Sequence, residues 1–306
     1  MTDPILTLGS LPLTGFGLCC AAAVLLWLAF VYLYLRAQGV RYGQFIVYGA
    51  LALPLGWVCS RLIFVLANVR FYSLTLGSFA PALYFWDGGY SLMGMLLGAL
   101  LAAPIAARIA RVPAARLLDA AALAAPMGIL LERLAERGTG LGEVREILAE
   151  TISFPIWAME AIAAVVLMAA LTVWLIRMGG KNAPAGDVLC VFMVLFGAAQ
   201  VVLESLRGDG HMEVHFVRIQ QVIALALVLS SLIVWTIRLI RSGDKRTAIV
   251  VWLVALVCIG AGVAAEFAVD RSDNKALAYT VMIACMLILA ASALMLRVKA
   301  ARAIKN

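Results

Sequence analysis

The chain has 306 residues, of which 65% are hydrophobic and 13% are charged, and its formal net charge at pH 7 is +7. Soluble globular domains are about half apolar and a quarter charged, so this composition excludes that class and indicates an all-α protein that crosses a membrane many times. The 6 cysteines all lie in apolar runs without the spacing of a disulfide framework or a metal site. We therefore expect no metal and no cofactor.

Nine apolar segments are each long enough, at about 20 residues, to cross a bilayer as a helix. In chain order they are residues 16–35, 43–67, 89–107, 114–134, 155–176, 187–206, 217–237, 248–268 and 277–296. The fourth is the weakest of these predictions because it is rich in alanine and contains Asp119 and Pro126. A charged segment with one glycine, residues 242–246, separates the last two spans from the first seven.

Basic residues collect at alternate ends of the predicted spans. Most of the 24 lysines and arginines lie at one set of ends: Arg36, Arg41, Arg108, Arg111, Arg116, Arg177, Lys181, Arg238, Arg241, Lys245, Arg246, Arg297, Lys299, Arg302 and Lys305. Because cytoplasmic connections are enriched in lysine and arginine, we predict the N-terminus outside and the C-terminus in the cytoplasm. This topology also accounts for the positive net charge, so we expect no nucleic-acid partner.

Three charged residues adjoin or enter the apolar segments at the opposite, outer ends. They are Arg61, Arg133 and Glu204. Ionisable side chains at such positions are costly, and they generally indicate function or pairing. The alternatives are that Arg133 only extends its side chain to the membrane surface and that Glu204 and Arg207 form a structural pair.

The stretch before the third span combines an acidic residue, two glycines and a serine, namely Asp87, Gly88, Gly89 and Ser91. Within the span, Gly94 and Gly98 lie four residues apart on one helix face. This spacing of small residues lets two membrane helices approach closely, so by itself it predicts a packing surface.

This stretch also resembles the signature of the prolipoprotein diacylglyceryl transferase family. The third span of that family opens with tryptophan, an acidic residue, two glycines, any residue, serine, an aromatic residue, histidine and glycine. The matching positions are Trp86, Asp87, Gly88, Gly89, Ser91 and Gly94. Leu92 stands at the aromatic position and Met93 at the histidine position.

Further partial motifs follow in the family's order. Arg61 fits the family's arginine-bearing second span, and Arg133 fits the arginine of its Gly-Arg-x-Gly-Asn-Phe motif. In that motif Glu132, Ala135 and Glu136 replace the first glycine, the second glycine and the asparagine. The resemblance therefore keeps the arginine of this motif and loses its other polar and small positions.

The remaining matches lie in the fifth to seventh spans. A segment before the fifth span is matched by Pro155, Glu160 and Ala161. An arginine-xxx-glutamate-xx-arginine motif in the sixth span is matched by Glu204, Arg207 and Asp209, with Gln200 in place of the first arginine. A glutamine that opens the seventh span is matched by Gln221. The resemblance covers about residues 5–240. It predicts a seven-span core at residues 1–241, an additional transmembrane hairpin at 247–297 and a basic cytoplasmic tail at 298–306.

The resemblance implies transfer of a diacylglyceryl group from phosphatidylglycerol to the lipobox cysteine thiol of a secreted lipoprotein precursor, at the outer face of the bacterial plasma membrane. The expected partners are phosphatidylglycerol, lipoprotein precursors and the bilayer. Arginine suits the anionic phosphate because its guanidinium can bind two oxygens at once. The expected binding and orienting residues are Arg133, Arg61, Arg207, Glu204, Asp87, Gly88, Gly89, Ser91 and Gln221.

The reaction also needs a base, because a thiolate is the reactive form of cysteine. Met93 cannot take a proton, and the chain contains only 2 histidines, His211 and His215. We predict that one of them supplies the base; the alternative is that both are solvated loop residues. A metal pair is disfavoured because Glu213 between them does not give the zinc-protease order.

Two functions from different classes remain open on the sequence alone. One is an active transferase with a remodelled site. The other is a catalytically inactive or repurposed relative that binds anionic phospholipid or a membrane partner. A small-molecule transporter ranks third, because the sequence shows no internal repeat and no pair of glycine- or proline-interrupted helices.

Overall fold

The structure is a computed structural model that describes residues 4–8, 11–69, 71–85, 88–137, 144, 154–177, 184–208, 213–214, 217–269, 271–272 and 274–303. Within these ranges, 9 helices are long and apolar enough to cross a membrane. They are α1 (Gly15–Ala37), α2 (Tyr42–Ala67), α3 (Leu92–Ala110), α4 (Ala114–Ala135), α5 (Ile156–Arg177), α6 (Asp187–Leu206), α7 (Ile219–Arg241), α8 (Lys245–Val269) and α9 (Lys275–Ala303). The predicted all-α, polytopic membrane fold is confirmed.

Two short antiparallel hairpins accompany the helices and were not predicted. Strand β1 (Pro4–Leu8) pairs with β2 (Leu11–Thr14), and β3 (Glu213–Val214) pairs with β4 (Val217–Arg218). Each strand has at most 5 residues, which is too short for a periodic pattern to stand out beside an apolar span. Thr14 ends β2 and caps α1, since its hydroxyl accepts a hydrogen bond of 3.1 Å from the Gly17 N–H.

Helix α3 begins at Leu92, three residues later than the predicted start at 89. Gly88 and Gly89 have φ of 73° and 72°, a left-handed conformation that an α-helix cannot contain. Ser91 then caps the helix, with its hydroxyl 3.5 Å from the Gly94 N–H.

The helices fall into two compact units. The first comprises Met1–Leu189 and Arg207–Met212 and therefore contains α1 to α5. Within it, α2 packs against α3 and α1 against α4. A Cβ at Gly94 would lie 2.4 Å from the Cys59 carbonyl oxygen, and one at Gly98 would lie 2.4 Å from the Gly56 Cα. The predicted packing surface on α3 is therefore confirmed: its glycines let α3 touch the backbone of α2.

Asp119, a charged residue within the fourth span, has a structural role. Its buried carboxylate accepts hydrogen bonds from the backbone N–H groups of Gly186, at 2.7 Å, and Leu189, at 2.9 Å. These groups belong to the start of α6, where N–H donors lack partners within the helix. Asp119 is thus a capping residue for another helix and does not interrupt its own.

The second unit comprises Cys190–Leu206 and Glu213–Asn306, and it contains most of α6 together with α7, α8 and α9. Gly197 of α6 lies against α7, where a Cβ would be 2.5 Å from the Ala224 carbonyl oxygen. The last two helices are bonded into this unit. Tyr279 of α9 donates a 3.1 Å hydrogen bond to the Ser205 carbonyl. That residues 1–241 fold without this hairpin stays a prediction.

Candidate functional site

Five charged side chains converge in the first unit. They form what we call the charged cluster: Glu132, Arg133, Glu136, Glu160 and Arg207. Glu132 and Arg133 lie in the last turn of α4, and Glu136 follows it directly. Glu160 lies in the first turns of α5, and Arg207 comes immediately after α6. The cluster is therefore assembled from three separate helix ends.

Glu160 and Glu136 hold the two guanidinium groups together. Arg133 Nε lies 3.1 Å from Glu160 Oε2, and Arg207 Nη1 lies 2.9 Å from the same oxygen. Glu136 receives Arg133 Nη1 at one carboxylate oxygen and Arg207 Nη2, at 3.5 Å, at the other. The structure thus brings together two of the predicted phosphate-binding arginines.

Burial makes this arrangement energetically demanding. Four members of the cluster are only 3% to 6% exposed: Glu160, Arg133, Arg207 and Glu136. Buried ions lose their hydration, and this cost is offset only when each charge has well-placed partners. In the cluster each arginine contacts at least two carboxylates. Removal of either arginine would leave buried carboxylates with fewer partners.

Arg61 holds the connection between α2 and α3. Its guanidinium donates hydrogen bonds to the carbonyls of Ala82 (3.0 Å), Pro81 (2.8 Å), Gly89 (3.1 Å) and Gly88. Most of the five N–H donors of an arginine are therefore directed at the main chain. A Cβ at Gly89 would lie 2.7 Å from Arg61 Nη1, so the glycine is needed for this close approach.

Ser91 is joined to α2 by a second set of hydrogen bonds. Its N–H donates to Ser60 Oγ at 2.8 Å, and Ser60 Oγ donates to the Ser91 carbonyl at 2.7 Å. Both serines are buried. Met93, which the resemblance aligns with a histidine, is 2% exposed and is buried on α3. The glycine–serine stretch therefore has a defined structure that depends on Arg61 and Ser60.

The second unit contains its own buried polar group. Glu204 accepts a 2.9 Å hydrogen bond from Gln200 Nε2, and Arg218 Nη1 lies 3.9 Å from its other oxygen. Gln221 accepts a 2.9 Å bond from the Arg218 N–H and donates at 3.1 Å to Glu266 of α8. Gln200, which the resemblance aligns with an arginine, thus serves as a neutral partner for Glu204.

A cavity of about 570 Å³ lies among α1, α2, α3 and α4 in the first unit. It is lined almost entirely by apolar side chains, among them Trp27, Trp57 and Met95. Among the described residues, Glu132 is the charged residue in its wall, and Cys20 contributes a thiol. An apolar cavity of this size suits a hydrocarbon chain rather than a polar metabolite. It borders the charged cluster through Glu132.

Three predicted site residues, Asp87, His211 and His215, lie outside the described residues. Two members of the charged cluster, Glu136 and Glu160, were not among the predicted site residues. The resemblance aligns Glu160 with a family glutamate, and that signal could have found it. It aligns Glu136 with an asparagine, and the contacts of Glu136 with two arginines are what identify it.

Comparison with known proteins places these features in a family. A family model described as prolipoprotein diacylglyceryl transferase matches residues 4–237. The chain is 25% identical over 268 residues to a phosphatidylglycerol–prolipoprotein diacylglyceryl transferase of Geobacillus kaustophilus, covering 78% of this chain and 93% of that relative.

Two other bacterial proteins of the same name are also similar. The Thermotoga maritima protein is 26% identical over 217 residues, covering 63% of this chain and 70% of its own length. The Beijerinckia indica protein is 33% identical over 145 residues, covering 44% and 50% respectively. The family match extends over α1 to α6 and most of α7 and stops before the last two helices. The chain belongs to the prolipoprotein diacylglyceryl transferase family.

Proposed function

We propose that this protein transfers the diacylglyceryl group of phosphatidylglycerol to the cysteine thiol of a lipoprotein precursor, at the outer face of a bacterial plasma membrane. The observation that carries the proposal is the family match over residues 4–237. The curated relatives bear the name of this activity. The N-terminus is outside and the C-terminus cytoplasmic in this proposal, which rests on the distribution of basic residues.

The geometry of the first unit supports different roles for the apolar cavity and for the arginines of the charged cluster. The apolar cavity would take hydrocarbon from the lipid substrate, and the adjoining arginines would face its phosphate. Arg133 is the candidate for the main phosphate contact, with Arg207 beside it. Both guanidinium groups already contact Glu136 and Glu160, so an incoming phosphate would compete with these carboxylates.

Other predicted residues have positioning roles in this proposal. Arg61 would hold Gly88 and Gly89, and Ser60 would hold Ser91, so that the α2–α3 connection keeps its shape. Glu204 and Gln221 would organise the second unit through Gln200, Arg218 and Glu266. Asp87 keeps the role that the sequence predicts, and the assignment of the base to His211 or His215 stays a prediction.

Transfer to a peptide tests the function. The full chain is purified, placed in phosphatidylglycerol vesicles and incubated with a lipobox peptide that has one cysteine. Mass spectrometry should detect a peptide heavier by one diacylglyceryl group. Vesicles without phosphatidylglycerol and a peptide with serine in place of cysteine are the controls, and neither should give the product.

The second candidate function is a relative that binds lipid or a membrane partner without catalysis. Two features support it: Met93 is buried where the resemblance gives a histidine, and Gln200 stands where the resemblance gives an arginine. An inactive protein that still binds phosphatidylglycerol in the same vesicles would select this function. Growth of a strain depleted of its own transferase, when it is supplied with this gene, would reject it.

A further inference from the structure

Glu132 occupies a place where a glycine stands in the family motif, and it is the charged residue in the wall of the apolar cavity. Its side chain is 30% exposed. Its Oε2 atom is buried and, within the described part of the chain, has no hydrogen-bond partner. Arg133 Nε lies 3.2 Å from that oxygen, in ion-pair contact without hydrogen-bond geometry. Oε2 is therefore held beside the Arg133 guanidinium, while the partly exposed side chain contributes to the cavity wall.

We propose that Glu132 is the general base of the transfer reaction in this protein. The inference rests on the proposed function. Glu132 is a titratable group at the cavity that would hold the lipid, whereas Met93, at the position that the resemblance gives to a histidine, has none. A general base must lie within reach of the proton that it removes, and a residue in the cavity wall meets this requirement for a thiol entering the cavity.

The charge balance of the cluster allows Glu132 to change its protonation state. The cluster contains three carboxylates and two guanidinium groups. Glu136 and Glu160 each contact both arginines, so both arginines keep a carboxylate partner when Glu132 is protonated. The groups that face Glu132 are Arg133 and Glu136 at the end of α4, Glu160 of α5, Arg207 after α6 and the Cys20 thiol of α1.

The proposed reaction is a displacement at carbon, with one proton transfer before it and one after it. Glu132 takes the proton as the S–H bond of the precursor cysteine breaks. The thiolate forms a bond to the glyceryl carbon that carries the phosphate, and the C–O bond at that carbon breaks. Its electron pair leaves with the phosphate of glycerol phosphate. Glu132 then returns the proton to that phosphate and becomes a carboxylate again.

The test compares the wild type with Glu132→Gln, Glu132→Asp and Arg137→Ala in the vesicle and peptide assay. Glu132→Gln keeps the shape and removes the base, so the rate near pH 7 should fall by about 100-fold or more. Glu132→Asp should lose less of the rate. Arg137→Ala, at an exposed residue just after α4 that does not line the cavity, should keep it. Binding of phosphatidylglycerol vesicles and thermal unfolding should be unchanged in Glu132→Gln.

The pH profile separates a base from a structural residue. Without the base, the reaction depends on thiolate formed in solution, so the Glu132→Gln rate should rise about tenfold per pH unit below the thiol pKa of about 8.5. The wild-type rate should rise less steeply. A variant that loses vesicle binding or thermal stability together with the rate, and that high pH does not rescue, would overturn the inference.

Other outcomes overturn one or both proposals. An active wild type with an equally active Glu132→Gln variant rejects Glu132 as the base and leaves the transferase function intact. Loss of the rate in the His211→Gln/His215→Gln double variant, with full rate in Glu132→Gln, assigns the base to the loop histidines. A wild type that transfers no lipid rejects the proposed function and the role of Glu132 with it.

Discussion

At the scale of single residues, the contacts that a buried charge makes in the charged cluster determine its contribution to folding and to binding. Arg133 contacts Glu132, Glu136 and Glu160, and two of these contacts use its Nε atom. A buried arginine in such a setting binds several oxygens in one plane. Its loss affects both the folded protein and any phosphate that the guanidinium would bind.

Replacing Arg133 tests this arrangement. Lysine keeps the charge but has a single ammonium group, so Arg133→Lys should impair lipid transfer almost as much as Arg133→Ala. Each charge-assisted hydrogen bond that is lost should reduce the favourable free energy of lipid binding by about 2–3 kcal/mol. Transfer rate, vesicle binding and thermal unfolding are measured together.

Arg137 provides the matched control for this series. It lies close to Arg133 in sequence, just after α4, and it is exposed. Arg137→Ala should therefore leave stability and transfer within experimental error, since exposed charges contribute little. Unchanged vesicle binding and transfer in Arg133→Ala would remove Arg133 from the phosphate site.

At the scale of the helices, close packing depends on glycines that let backbones meet. Gly98 of α3 faces the backbone of α2, where a Cβ would lie 2.4 Å from the Leu55 carbonyl oxygen. Backbone atoms within a helix cannot move aside as a flexible side chain can. The α2–α3 pair also carries Arg61 and Ser60, which hold the connection before α3.

Gly98→Ala should separate α2 from α3. We expect a loss of about 1–3 kcal/mol in the free energy of unfolding, the usual cost of overpacking. The control is Gly260→Ala in α8, where the described part of the chain has no atom within 4 Å of the added Cβ beyond the adjacent residues and the backbone of the helix itself. That variant should be neutral or gain up to about 1 kcal/mol, because alanine favours helices over glycine. Equal unfolding temperatures for the two variants would contradict the close packing.

At the scale of the whole molecule, the distribution of lysine and arginine predicts the orientation in the membrane. With the N-terminus predicted outside, the 9 spans among the described residues predict a cytoplasmic C-terminus. The same prediction assigns Gly140, in the sequence between α4 and α5, to the outer side. Glu132 and Arg133 end the helix that leads into that connection.

Reporter fusions check this topology. A reporter enzyme that is active only in the cytoplasm should be active when it is fused after Asn306 and silent when it is fused after Gly140. Both fusions are compared at equal expression. Activity of the Gly140 fusion would reverse the orientation and place the charged cluster on the cytoplasmic side.

The sequence by itself determined the nine spans, because a run of about 20 apolar residues is a local property that the bilayer requires. It also identified the family and the individual arginines through partial motifs. The start of α3 was predicted three residues early, since the left-handed conformations of Gly88 and Gly89 depend on contacts with Arg61.

Only the tertiary structure decided which charges meet. Glu160 and Arg207 are 47 positions apart in the chain and 2.9 Å apart in space. Helix periodicity relates residues three or four apart and says nothing about such pairs. The same reason kept Glu132 out of the site predicted from the sequence, where the resemblance aligns it with a glycine. Its place between an apolar cavity and the Arg133 guanidinium exists only when α1, α2, α3 and α4 have packed together.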